Sequence, residues 1–130
     1  MGMTLLAHHH VRSEQPMTIA HADLWVDLDE AHGTVYIGGQ LDHRGCAHLG
    51  TAVLGCISRS PGVHIIDILH VEVLSSAAIQ LIDRARHLVA AHGHTLQIVC
   101  RPGTPARAAL AAAGLGPHLT AAVVNPPVPA

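Results

Sequence analysis

Residues 63–86, V-H-I-I-D-I-L-H-V-E-V-L-S-S-A-A-I-Q-L-I-D-R-A-R, constrain the fold more than any other stretch of the chain. Val63, Ile65, Ile66, Ile68 and Leu69 form an apolar run interrupted by His64 and Asp67. Being apolar on both faces, the run predicts a central strand covered by helices. After a short connector, Ser75-Ser76 offers a helix start. Ala78, Ile79, Ile82, Ala85 and Val89 then fall on one stripe, with Gln80, Asp83, Arg84 and Arg86 mainly away from it. Gly93 closes this helix. A strand end followed by a helix N-terminus is the usual place for a site in an α/β domain, so function is expected at the serine pair.

The remaining elements arrange themselves around this unit. Leu24, Val26 and Leu28 alternate as in a half-buried strand, Ala31-His32-Gly33 turns the chain, and T-V-Y-I-G-G-Q-L returns as its hairpin partner, bent at Gly38-Gly39. Cys46, Leu49, Val53 and Cys56 or Ile57 then make a helical stripe over residues 43–58. Its three glycines each cost about 1 kcal/mol relative to alanine. Ser60-Pro61-Gly62 is a turn, T-L-Q-I-V-C-R a strand, and Arg101-Pro102-Gly103 its break. Thr104 and Pro105 open a last helix that stops at Gly114. The order β, β, α, β, α, β, α predicts a single α/β domain over residues 21–120. Its sheet is mixed, mostly parallel and four- to five-stranded, with an N-terminal β-hairpin and helices packed against it. Residues 1–20, with the tract His8-His9-His10, read as a flexible leader and residues 121–130 as a flexible tail.

Composition removes several classes of function. Seven Lys and Arg against nine Asp and Glu leave a net charge of −2, and with no Phe, one Trp and one Tyr there is no stacking platform. Nucleic acid is therefore not the expected partner. No apolar run approaches the ~18 residues of a membrane span and no signal-peptide pattern opens the chain. A cytoplasmic protein without membrane insertion is expected. Cys46, Cys56 and Cys100 are odd in number and lack C-x-x-C spacing, as suits a reducing compartment. Ten helical residues would hold Cys46 and Cys56 about 15 Å apart, too far for a disulfide. Cys100, at a strand end, is the thiol expected to be exposed.

The thirteen histidines do not adopt metal-ligand spacing: His43 and His48 are five apart and His92-x-His94 flanks a turn. No metal site is expected. A serine enzyme using Ser76 with a base such as His70 would need a G-x-S-x-G elbow, whereas Ser76 is followed by two alanines. No phosphate-binding glycine loop is present, so neither enzymatic activity nor a cofactor is expected. Locally, Ser75 or Ser76 reads as an N-cap, Asp42 as the N-cap of the first helix, and Asp67 as a buried carboxylate held by local hydrogen bonds.

The motifs G-Q-L-D-H (39–43), I-I-D-I-L (65–69), V-E-V-L-S-S-A-A (71–78) and Gly114-Leu115, in this order, resemble those of the STAS family, the sulfate transporter and anti-sigma factor antagonist domain. Its anti-anti-sigma members carry G-E-L-D and then D-L-S-x-V-x-F-x-D-S-S-G. Without a gap, the longer motif falls on Asp67, Val71, Val73 and Ser76. The chain departs from it with Gln40 for glutamate, Ser75 for aspartate, Ala77 for the second serine and Ala78 for glycine.

The resemblance implies an anti-sigma factor antagonist that binds a serine-kinase anti-sigma factor, releases a sigma factor in a stress response, and is phosphorylated at Ser76, with Ser75 second. It also implies a partner surface of Asp42, His43, Leu74, Ser75, Ser76 and Ala77, on a monomer or weak dimer. Two alternatives stand beside it. One is a cytoplasmic STAS subunit of an ABC-type transport complex, and the other a redox-controlled binding module using Cys100.

Overall fold

The computed structural model describes the backbone of residues 18–21 and residues 24–121 in full. The expected tail beyond residue 121, and all but the last three residues of the expected leader, lie outside the described residues. The elements are β1 (Thr18–His21), β2 (Leu24–Asp29), β3 (Thr34–Leu41), α1 (His43–Arg59), β4 (Ile65–Leu74), α2 (Ser76–Ala91), β5 (Gln97–Val99), α3 (Pro105–Leu110) and β6 (Leu119–Thr120). The strands form one sheet in the order β1-β2-β3-β4-β5-β6. The first three are antiparallel neighbours and the last four parallel ones.

The expected hairpin is β2–β3, and the expected parallel crossovers join β3, β4 and β5. Two short edge strands extend the sheet to six: β1, which begins inside the expected leader, and the two-residue β6. A larger difference concerns residues 70–74. Instead of a connector, they are the second half of β4, because β3 is long enough to pair with β4 from Thr34↔Ile65 through Leu41↔Leu74. Two register shifts in this ladder, at Tyr36/Gly38 and Gly39/Gln40, absorb the bend expected at the glycine pair.

Each of the three crossovers, through α1, α2 and α3, moves one strand further in the same direction. With the right-handed sense that such connections take, all three helices fall on one face of the sheet. The core lies between. Val26, Val35, Ile37, Ile66, Ile68 and Ile98 from the strands pack with Leu49, Val53 and Ile57 of α1 and Ala78, Ile82, Ala85 and Val89 of α2. These helix positions are the stripes read from the sequence. Gly45 explains part of the glycine content of α1: a Cβ there would stand 2.8 Å from Leu24 Cδ2 and 2.9 Å from the Gln40 carbonyl oxygen. The helix start can sit this close to β2 and β3 only without a side chain.

On the opposite face Trp25 lies over Gly38, where an added Cβ would overlap the indole ring, and the Trp25 and His70 rings are 6.2 Å apart. Gly38→Ala must therefore displace the ring. We expect a loss of about 1–3 kcal/mol of stability, as for other overpacked sites, with a shift in the emission of Trp25. Urea unfolding followed by tryptophan fluorescence measures both.

Candidate functional site

The site grows out of the β3–β4 ladder. Leu41 and Leu74 are its last paired residues, and each is followed at once by a helix N-cap, Asp42 for α1 and Ser75 for α2. The Asp42 carboxylate accepts the Gly45 N–H at 2.8 Å. The Ser75 hydroxyl accepts the Ala78 N–H at 3.2 Å and donates to the Leu41 carbonyl at 3.2 Å. The Ser75 N–H donates to the same carbonyl at 3.1 Å. Two helix N-termini are thus fastened side by side at the C-terminal edge of the parallel strands.

Ser76 occupies the first helical position of α2 and is exposed. Its hydroxyl contributes no hydrogen bond among the described residues, which leaves it chemically available. His43, the first residue of α1, is also exposed, whereas Leu74, Ser75, Ala77 and Asp42 are half-buried. His43, Cys46, Ala77, Gln80, Leu81 and Arg84 line a shallow cleft between α1 and α2, of about 320 Å³. All six residues implied as a partner surface therefore lie at the same end of the domain. Asp42 and Ser75, however, spend their side chains on capping.

Reading the sequence alone missed three neighbours. Cys46 lies beside the two caps: burial pushes its thiol pKa up, the nearby Ser75 hydroxyl opposes that, and Asp42 adds to the rise. Gln40 donates to Glu72 Oε1 at 2.9 Å, tying β3 to β4 just before the caps. Val73 is 42% exposed, and it is the exposed large apolar side chain among the described residues. The alternation in V-E-V-L was the available signal for a half-solvated strand there.

Cys100 requires a correction. It is buried in the core at 2% exposure, because its N–H donates to the Thr120 carbonyl of β6 and Arg107 Nη1 donates to its own carbonyl. Burial pushes its thiol up, against the lowering influence of Thr104 and Arg107. The expected exposure fails because the covering strand comes from twenty residues away, and the redox reading loses its basis. Cys56 is buried with its thiol likewise pushed up by burial, and Cys46 is half-buried; all three are free. Asp67 Oδ1 accepts the Leu69 N–H at 3.0 Å, the local bonding expected of it. His94 stacks on His64, ring centroids 5.3 Å apart, at the N-terminal end of the parallel strands and away from the serines. Among the described residues no three His, Cys, Asp or Glu side chains converge as metal ligands, and no helix is long and apolar enough to cross a membrane.

The two serines differ in what they hold. Ser75→Ala should cost about 1 kcal/mol, the usual value of an N-cap, and lower Tm by roughly 4–8 °C for a domain of this size. Ser76→Ala should stay within about 0.5 kcal/mol of the parent. Thermal and urea unfolding of the two variants make the comparison, and equal losses would show that the cap is shared.

The STAS domain family model matches residues 26–124. Two solved structures share the fold. The Bacillus cell fate determinant SpoIIAA in its phosphorylated form is 17% identical over 85% of this chain and 93% of that one, with a TM-score of 0.52. The anti-sigma factor antagonist SpoIIAA in its unphosphorylated form is 21% identical over 85% and 90%, with a TM-score of 0.53. Among curated protein sequences none matches. With the model covering most of the chain and the strand-to-cap geometry just described, the protein belongs to the STAS domain family.

Proposed function

We propose that this protein is an anti-sigma factor antagonist: a binding module, not an enzyme, that engages a serine-kinase anti-sigma factor in the cytoplasm, frees a sigma factor and is switched off by phosphorylation of Ser76. The observation that carries the reading is the division of labour between adjacent serines. The Ser75 hydroxyl is engaged with Leu41 and Ala78, while the Ser76 hydroxyl stands exposed one residue further on. A phosphate on Ser75 would sacrifice the cap, so Ser76 is the better acceptor. The fold likeness to SpoIIAA, solved in phosphorylated and unphosphorylated forms, supports a switch by phosphorylation.

The electrostatics explain how such a switch works without unfolding the domain. A phosphoryl group brings close to two negative charges to the first turn of α2, where the free amides and the helix dipole favour an anion. The folded state is therefore not penalised. A partner that buries this edge is penalised, since it must desolvate the dianion. His43, Leu74, Ala77 and the cleft between the helices supply the contact area, with Asp42 and Ser75 fixing its shape. Ser75, where the family pattern has aspartate, retains the cap but removes a charge that a kinase would otherwise read, so the cognate kinase should differ in that contact.

Ser76→Glu should weaken partner binding by at least about tenfold, or ~1.4 kcal/mol, while Tm stays close to that of Ser76→Ala. The measurement is affinity capture from the native cell with wild type, Ser76→Ala and Ser76→Glu, with mass spectrometry of the captured protein and of the bait. A serine-kinase anti-sigma factor, lost from Ser76→Glu, with phosphate on the Ser76 peptide, is the expected result. A transporter ATPase in its place, or binding indifferent to Ser76→Glu, overturns the reading.

A further inference from the structure

β4 outruns its neighbour on one side. Its pairing with β3 continues to Leu41↔Leu74, whereas its pairing with β5 stops at Asp67↔Val99. Exposure changes at the same point: Ile65 to Ile68 are buried, and Leu69 to Leu74 are half-buried or exposed. The chain leaves β5 there because the Cys100 N–H donates to the Thr120 carbonyl of β6 and the turn Arg101-Pro102-Gly103 follows, with Gly103 at φ 76°. The Leu69 N–H is taken by Asp67 Oδ1. Beyond it, the side of residues 70–74 turned away from β3 has no backbone partner among the described residues. Backbone N–H and C=O groups are obligatory hydrogen-bonding groups, and an open strand edge is a template for another chain.

The space beside this edge is a groove of about 410 Å³ bounded by β4 and α3. Ile68, Val71 and Leu74 line the strand side, and Pro105, Ala106 and Ala109 the helix side. The small side chains of α3 thus leave room for a strand where β5 would have continued. At about 3.3 Å per residue, a peptide of about five to seven residues fills the edge along residues 70–74. The register shifts within β4 restrict regular pairing to short stretches, yet three residues suffice to hold β5 in this sheet and two to hold β6. Charge marks the occupant further. Glu72 is held by Gln40 at 2.9 Å, whereas Arg101 on the groove's rim is exposed and its guanidinium has no partner among the described residues. An amide backbone matches the open strand, aliphatic side chains match the walls, and a carboxylate matches Arg101.

We propose that the groove between β4 and α3 is a docking site for an extended peptide segment of a partner protein. The segment adds as a strand beside residues 70–74 and sets an Asp or Glu side chain against Arg101. This site adjoins the Ser76 edge at Leu74 but takes its affinity from backbone pairing and from Arg101, and it stands whether or not Ser76 is phosphorylated.

The test pans a phage-displayed library of random heptapeptides on the full-length protein and titrates the enriched sequences, as synthetic peptides, into the isotopically labelled chain. Enriched peptides should combine aliphatic and β-branched residues with one acid. Binding should shift the amides of residues 70–74 and Arg101, slow hydrogen exchange at those amides of residues 70–74 that do not pair with β3, and leave Val89 and Ala90 of α2 unmoved. Arg101→Glu, at an exposed position, should keep the parent Tm and weaken binding of the acidic peptide at least about tenfold, because like charges then face each other. The same peptide with Lys in place of its acid should recover the loss. Methylating the backbone nitrogens of the peptide should abolish binding. No enrichment, affinity retained by the methylated peptide, indifference to Arg101→Glu, or shifts centred on His43, Ala77 and Gln80 each overturn the proposal. So does slow exchange at the groove-facing amides before peptide is added, or a shift of residues 70–74 with protein concentration alone, which would place this chain itself or a second copy in the groove.

Discussion

The parallel pairing of β3 with β4 is the interaction on which the rest of the structure depends. It joins a strand of eight residues to one of ten and ends at Leu41↔Leu74. Because the next residue on each strand is a helix cap, the ladder decides where both helices begin. Leu41 has a second role, since its carbonyl receives both the N–H and the hydroxyl of Ser75. A slip of one residue would turn Ile66 and Ile68 away from α1 and α2, forfeiting roughly 1.5–3 kcal/mol for each side chain exposed. The hydrophobic register of the strand is therefore what holds the polar site in place.

Within that frame, neighbouring residues of similar chemistry carry different duties. At an N-cap, serine and aspartate are nearly equivalent acceptors, so Ser75 preserves the helix start where the family pattern has an acid. What it gives up is charge, and Asp42 becomes the carboxylate nearest this edge in the two caps. Ala78, where the pattern has glycine, is completely buried against the core and donates its N–H to Ser75. A methyl group is accommodated there, so the departure from glycine leaves the turn intact. The substitutions thus alter what a partner reads more than how the chain folds.

The parts of the fold that sequence revealed are those fixed by local pattern. The apolar run beginning at Ile65, the stripe of α2 from Ala78 to Val89 and the Thr104–Pro105 helix start all declare themselves within a few residues. The extension of β4 to Leu74 does not, since V-E-V-L gains its strand conformation from β3, some thirty residues earlier. The burial of Cys100 likewise depends on Thr120, and the edge strand β6 on β5, some twenty residues earlier. At the site, periodicity located the serine pair but could not say which serine capped the helix. That decision belongs to the Leu41 carbonyl, which lies within reach of Ser75 and leaves Ser76 free.

Strand order accounts for the remaining asymmetry. A sheet whose parallel strands follow one another in sequence, each joined by a right-handed crossover, gathers all its helices on one side. Its core can then be completed by α1 and α2. The other side holds Trp25, Tyr36 and three aspartates of a protein whose net charge is only −2. Negative charge is thus concentrated on one face, and the helix N-termini, which favour anions, are collected at one edge. The same topology that simplifies the core separates these two environments, so that a charge added at Ser76 acts on the edge without entering the face where Asp27 and Asp67 are already buried.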